Sequence, residues 1–294
     1  VDPQTEPDGS GDNRPGPSQS RDDSRPSHPR DGGDRGDASA ARVGGFFVLR
    51  TAPPPGPDPT GTGTTETGTT GAGADAPHRG GHRPLVELYT GRDDSPLTAR
   101  VDRVAAGLGA RERRVAASAA HLGLAARLWS TTLGPAALHG RFPDLTPATL
   151  HWDGTLGAPD DLWWSGTATR PATVDALRAA VHEAHLVPLY AAFVRDGRIS
   201  PRLLWGNAGS ALAGALRELV RWARAHHRPE AAARAVTLVQ GLLDHPDLAG
   251  TVRGPALRRT TCCLYYRCPA GGLCGDCVFD HPPRMGLERR PPAP

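Results

Sequence analysis

The chain has 294 residues, 38% of them hydrophobic and 22% charged, a balance that supports one buried core and excludes collagen-like or wholly disordered classes. Its formal net charge of +3 is too small to argue for nucleic acid, every basic residue apart from histidine is arginine, and no basic stripe with interleaved aromatics appears. No apolar run of about 18 residues argues for a membrane span. No charged-then-apolar signal pattern opens the sequence, so the expected location is the cytoplasm.

Residues 1–40 are rich in Asp, Arg, Pro, Gly and Ser and hold almost no large apolar side chain, so they read as a disordered leader. Residues 41–83 begin with an apolar island, Gly44-Gly45-Phe46-Phe47-Val48-Leu49-Arg50, expected to be a short strand or extended segment docked on the following domain. A Gly/Thr/Pro linker follows. Its glycines lack the strand and helix context of a phosphate loop, and His78 and His82 read as solvated linker residues.

Residues 84–255 read as a helical domain. Val115, Ala119, Leu122, Ala126 and Trp129 share one helical face while Leu124 and Leu128 lie opposite, which predicts a helix packed on two sides. His151-Trp152 and Leu162-Trp163-Trp164 predict a small hairpin. Thr173 reads as the N-cap of a helix to about His185, after which Pro188 restarts the chain. Ser200-Pro201 opens a long helix with Leu204, Leu212, Leu216, Leu219 and Ala223 on one face, and Pro229 opens a last one to about Leu243. Several polar residues have plain structural readings. His121 fits a hydrogen-bonded core position, Asn207 a side chain satisfying backbone, and His226-His227 a basic helix end. Trp205 is a candidate for lining a pocket.

The most informative segment is 256–282, with a tail at 283–294. All five cysteines of the chain lie here, at 262, 263, 268, 274 and 277. Cysteines serving as small core hydrophobes would be scattered through the apolar runs; these converge on one point and argue for a metal centre. Structural zinc favours two Cys-x-x-Cys knuckles. Only one is present, Cys274 and Cys277, and the adjacent Cys262 and Cys263 point to opposite faces in an extended chain, so reaching one ion would need a tight bend. A centre with two irons relaxes that demand. Pro269-Ala270-Gly271-Gly272 supplies a turn, and Gly275 leaves bare backbone beside the sulfurs for N–H bonds. Val278 stands where a c-type haem site needs His, and the prolines after Phe279 stop the helix that a thioredoxin-like dithiol requires.

Arg258-Arg259-Thr260-Thr261-Cys262-Cys263-Leu264-Tyr265-Tyr266-Arg267, followed by Gly271-Gly272-Leu273-Cys274-Gly275-Asp276-Cys277, resembles the C-terminal signature of FhuF-like ferric-siderophore reductases of the actinobacterial type. Looser similarity covers the helical region around Val115–Leu128 and Leu204–Asn207. The resemblance implies a [2Fe–2S] cluster on Cys262, Cys263, Cys274 and Cys277, with Cys268 a bystander. It implies a mainly α fold with a minor hairpin and a Cys-rich iron–sulfur segment. The implied activity is one-electron reduction of a ferric siderophore, which releases Fe(II) because hard oxygen ligands hold that ion less well than Fe(III). No nucleotide fingerprint is present, so an external donor such as a ferredoxin or flavin reductase is expected. Arg258, Arg259, Arg267 and Arg284 either steer a partner or neutralise the centre and pair with Asp276 and Asp280. Tyr265 and Tyr266 are expected to pack on the helical domain. Two other readings stay open: a zinc-stabilised binding module that requires Cys268, and a cluster-bearing sensor or electron carrier without reductase activity.

Overall fold

In the computed structural model, the described residues are 40–51, 81–90, 96–196 and 199–283. The expected leader, most of the linker with His78, and Arg284 with the tail after it lie outside them. The fold is mainly helical. In chain order a single turn α1 (Val86–Tyr89) precedes α2 (Pro96–Leu108) and the long α3 (Arg113–His139). Next come α4 (Val174–Leu177), a π-helical segment Arg178–Leu186, α5 (Val187–Asp196), α6 (Pro201–Ala225) and α7 (Pro229–Leu243).

The core forms where α3 lies along α6, with α2 and α7 packed outside them. Trp129, Leu128 and Leu133 of α3 and Leu204, Leu212 and Leu219 of α6 are fully buried. α3 is covered on both sides as expected, although Ala119, Leu122 and Ala126 stay half-buried. Gly140 ends it in a left-handed conformation (φ 71°) that glycine adopts without a Cβ clash.

Thr173 caps α4 as expected, its hydroxyl accepting from the Ala176 N–H. Pro188 does not restart the chain. The helix continues through the π segment into α5, with the Val187 N–H donating five residues back to His182, and Pro188 follows directly on this wider turn. Ser200 precedes α6 without a side-chain cap; its carbonyl accepts from Leu203 and Leu204.

The expected hairpin is present. β1 (Arg83–Pro84), β3 (Leu150–Trp152) and β4 (Leu162–Trp164) form an antiparallel sheet in the order β1-β3-β4, with Leu150 opposite Trp164 and Trp152 opposite Leu162. β2 (Arg141–Pro143) pairs with β5 (Thr169–Pro171). The apolar island forms a 3-10 turn, Gly45–Phe47, in place of a strand. Only Arg50 bridges to Trp163, because Arg127 of α3 takes up the backbone acceptors that a strand would need. Its guanidinium donates to the carbonyls of Gly45, Phe46, Val48 and Pro159 and pairs at 2.8 Å with Asp161, both side chains buried. His82 is buried and bonded to the Asp160 carbonyl, so it belongs to the folded domain and not to a solvated linker.

Candidate metal centre

The cysteine segment is seated by the helices behind it. β6 (Val252–Arg253) and β7 (Arg258–Arg259) form a two-stranded ribbon that delivers Thr260-Thr261-Cys262 to the side of α6. α6 is small-sided there. A Cβ on Gly206 would overlap the Thr261 hydroxyl, and one on Gly209 would overlap Thr251, so glycine at these positions is what lets the segment lie against the helix. From α3, Ser118 donates to the Cys263 carbonyl at 2.8 Å.

Leu264 takes a left-handed conformation (φ 68°) directly after the vicinal pair and turns the chain into a 3-10 turn, Tyr265–Arg267. This is the bend that the adjacent cysteines demanded. The turn through Pro269 returns the chain, with the Gly271 N–H donating to Cys268 at 2.9 Å; a side chain at Gly271 would strike the Tyr265 carbonyl. As a result the thiols of Cys263 and Cys274 stand 3.6 Å apart. Two thiolates on one tetrahedral ion with bonds of about 2.3 Å are about 3.8 Å apart, so this pair is already at coordinating separation.

The sulfurs receive N–H bonds from the residue two further on. Leu264 donates to Cys262 Sγ at 3.3 Å and Phe279 to Cys277 Sγ at 3.4 Å. These i+2 amides are turned inward by the bends that place the sulfurs. Cys263 and Cys277 are buried, while Cys262 and Cys274 are half-exposed, so the centre has one open edge.

The thiols that are perturbed differ in cause. The bond shared by Cys263 and Cys274 holds the Cys263 thiol low, at about 7, and raises that of Cys274. Burial raises Cys262, which also feels Cys277 and Cys274. The Arg259 guanidinium favours the thiolate of Cys262, Cys263 and Cys274. Burial alone raises Cys268, and no charge from the other four thiols acts on it.

Arg259, one of the arginines read as steering a partner or neutralising the centre, is fully buried, which places it with the second of these. It donates to Asn207 Oδ1 and to the Thr261 carbonyl, while Asn207 Nδ2 donates to Ser118. Asn207 therefore ties α3, α6 and the cysteine segment together through one amide. Among the described residues, Arg259 Nη1 is buried with no hydrogen-bond partner, a donor left for an anionic group beside the thiols. Clustered thiols, N–H donors to sulfur and an unspent buried cation fit an anionic iron–sulfur cluster.

The other arginines are committed to the fold. Arg258 bonds the Cys277 carbonyl and pairs with Asp280 at 2.9 Å, and Arg267 pairs with Glu112 at 2.6 Å. Asp276 is buried and accepts from Ser210 of α6 at 2.6 Å. Tyr265 is exposed, so it does not pack on the helices; Tyr266 meets Phe279 edge-on, 6.0 Å between centroids. His121 is buried as expected, but its Nδ1 has no partner; it contacts Phe193 edge-on, and burial lowers its pKa to about 3.

Beside the segment opens a cleft of about 290 Å³ lined by Arg202, Trp205, Asp247, Thr260 and Thr261 among others. Trp205 lines it as anticipated. Asn207 does not, being consumed by Arg259 and Ser118. Among the described residues, no helix is long and apolar enough to cross a membrane.

Comparison with individually characterised proteins finds none that matches. Comparison with protein families does. Residues 138–263, from the end of α3 to the vicinal cysteines, match the ferric iron reductase FhuF-like transporter family, and residues 259–279 match the FhuF 2Fe-2S C-terminal domain. The thiols, the buried cation and α6 fall in these two stretches, while α3 with Ser118 lies almost wholly before them; over this part the chain is similar to the FhuF-like ferric iron reductases, and it carries that family's [2Fe–2S] domain at the cysteine segment.

Proposed function

We propose that this protein reduces ferric siderophore chelates by one-electron transfer from a [2Fe–2S] cluster held by Cys262, Cys263, Cys274 and Cys277. The carrying observation is the Cys263–Cys274 thiol pair at 3.6 Å in the segment that matches the FhuF 2Fe-2S domain, with Arg259 buried beside it. When bound, the cluster supplies single electrons at a potential set by thiolate ligation and limited solvent access. Arg259 and the Leu264 and Phe279 amides offset negative charge at the sulfurs. The open edge at Cys262 and Cys274 serves a substrate too large to be engulfed. Fe(III) takes up the electron and leaves as Fe(II), and no siderophore bond breaks, so no general base or nucleophile is needed.

The electron comes from an external donor of the ferredoxin or flavin-reductase class. A reducing cytoplasm suits clustered free thiols. The division proposed is a helical body over residues 84–255, to which His82 and Arg83 also belong, and a cluster segment over 256–282.

The test is an anaerobic purification with iron, acid-labile sulfide and zinc assayed on one sample, followed by turnover of a ferric hydroxamate with a reduced ferredoxin and a chromogenic Fe(II) trap. About two irons and two sulfides per chain, bands that bleach with dithionite, and Fe(II) released only with cluster-loaded protein are expected. One zinc in a colourless protein would replace the reading with a structural zinc module; a bleachable cluster without turnover would leave a sensor or electron carrier.

A further inference from the structure

We propose that His182, His245 and Asp247, at the cleft beside the cysteine segment, bind one divalent first-row transition cation, and that this cation is Fe(II). Binding of a cation follows from the geometry below; that it is the ferrous product rests on the reductase reading above.

Two segments meet here. His182 lies in the π-helical segment, and His245 and Asp247 follow α7 on either side of Pro246. One ligand atom from each lies within 4.8 Å of the other two. His182 Nε2 is 3.0 Å from Asp247 Oδ2, and His245 Nδ1 is 3.8 Å from the same oxygen. Donors bound at about 2.0–2.2 Å to one such ion stand about 3–3.5 Å apart, so these atoms need little rearrangement.

The chemistry of the donors agrees. The Asp247 N–H donates to His245 Nδ1 at 3.3 Å, so that nitrogen is unprotonated, and its one lone pair must turn from this long bond to the ion, 3.8 Å from Asp247 Oδ2. His182 is 2% exposed and held between the ring of Trp205, stacked at 5.2 Å, and that of His245 at 4.1 Å. Burial first, and His245 second, lower its proton affinity; its Nε2–H donates to Asp247 Oδ2, and this proton leaves to solvent as the ion takes its place between the two atoms. Trp205 is fixed in turn by Tyr190, stacked at 5.1 Å. Two imidazoles and one carboxylate, the carboxylate residue Asp247 lining the cleft, make a donor set that accepts Fe(II) readily and Mg(II) or Ca(II) poorly.

Position gives the site its use. Thr260 and Thr261 form another wall of the same cleft, and Thr261 is bonded directly to Cys262. An Fe(II) ion leaving an oxygen chelate at the open edge of the centre meets nitrogen donors a short way along this wall, and these favour Fe(II) over return to the hard oxygen ligands.

The experiment adds 57Fe(II) anaerobically to protein whose cluster carries natural-abundance iron, with no chelate and no donor, and measures retained 57Fe by dialysis and by its Mössbauer signal. About one additional high-spin Fe(II) per chain is expected, with affinity reduced at least about tenfold in both His245→Gln and Asp247→Asn. Zn(II) added in competition displaces it. His245 is partly exposed, so its variant keeps the fold if Asp247→Asn does not, and an unchanged cluster spectrum verifies each. No retained 57Fe at about 100 µM added ion, or equal affinity in wild type and His245→Gln, overturns the site. Binding without siderophore turnover would remove the reductase reading and its ferrous product while leaving the cation site.

Discussion

The α3/α6 body and the cysteine segment after β6 are stabilised by different physics. Between α3 and α6, side chains such as Trp129, Leu133, Leu212 and Leu219 lose all contact with solvent, and each loss of exposure is favourable by itself. The cysteine segment has short strands and turns, and polar groups hold it: Ser118 on the Cys263 carbonyl, Arg259 on Asn207, Ser210 on Asp276. Hydrogen bonds of this kind contribute only about 0.5–1.5 kcal/mol each, so a thiol-rich segment without an extensive apolar core depends on its metal centre for order. The body can fold before the centre is loaded; the segment completes its structure with it.

The largest effect should come from Cys263→Ser or Cys274→Ser, the pair at 3.6 Å. Either variant is expected to lose the visible spectrum and most cluster iron while far-UV circular dichroism keeps the helical signal. Loss of both signals together would show that body and segment are one cooperative unit.

Acid should act on the body. Burial holds His121 at about 3 and His185 at about 4, and His185 Nε2 donates to the Leu145 carbonyl while Tyr89 donates to its Nδ1. Both pKa values lie below the unfolded value of about 6.5, so the unfolded chain binds protons first as pH falls. Their stabilising contribution is complete above about pH 6.5 and declines by roughly 1.4 kcal/mol per pH unit for each ring down to the folded pKa. Thermal melting of the Cys263→Ser protein should show this slope, which assigns it to the body; a melting temperature flat from pH 7.5 to 5 would contradict the assignment.

Arg259→Leu tests the joint between the regions. It strands Asn207 Oδ1 and the Thr261 carbonyl and removes the charge beside the thiols, at a cost of about 1.5–3 kcal/mol. Faster loss of cluster iron and a lower reduction potential are expected by voltammetry. Gly206→Ala forces Thr261 away from α6 for about 1–3 kcal/mol and should broaden or shift the cluster spectrum with the body's melting little changed. The smallest effect is expected from Cys268→Ser, with iron content and spectrum unchanged; loss of the centre there would bring Cys268 into the ligand set.

Much of this was legible because it is local. Thr173 caps its helix through its own hydroxyl, Pro201 and Pro229 open helices by fixing φ, and β3 and β4 pair where two aromatic segments flank a turn. Pro188 misled because a π segment in the preceding helix, set by packing, let the chain continue through it. The sources of the N–H bonds to sulfur were missed for a related reason: they follow from the left-handed Leu264 and the bend before Phe279.

The sequence by itself determined that a metal centre exists and where it lies, since crowding and spacing of cysteines constrain coordination whatever fold surrounds them. It also determined the helical class, through periodicity and caps acting over one or two turns. Only the tertiary structure decided which arginine is buried beside the thiols, which edge of the centre is open, and that His182 meets His245 and Asp247 across about 60 residues of chain. Those outcomes depend on how α3 and α6 pack and on which small residues let the last segment approach, and packing is a property of surfaces brought together, which no local pattern encodes.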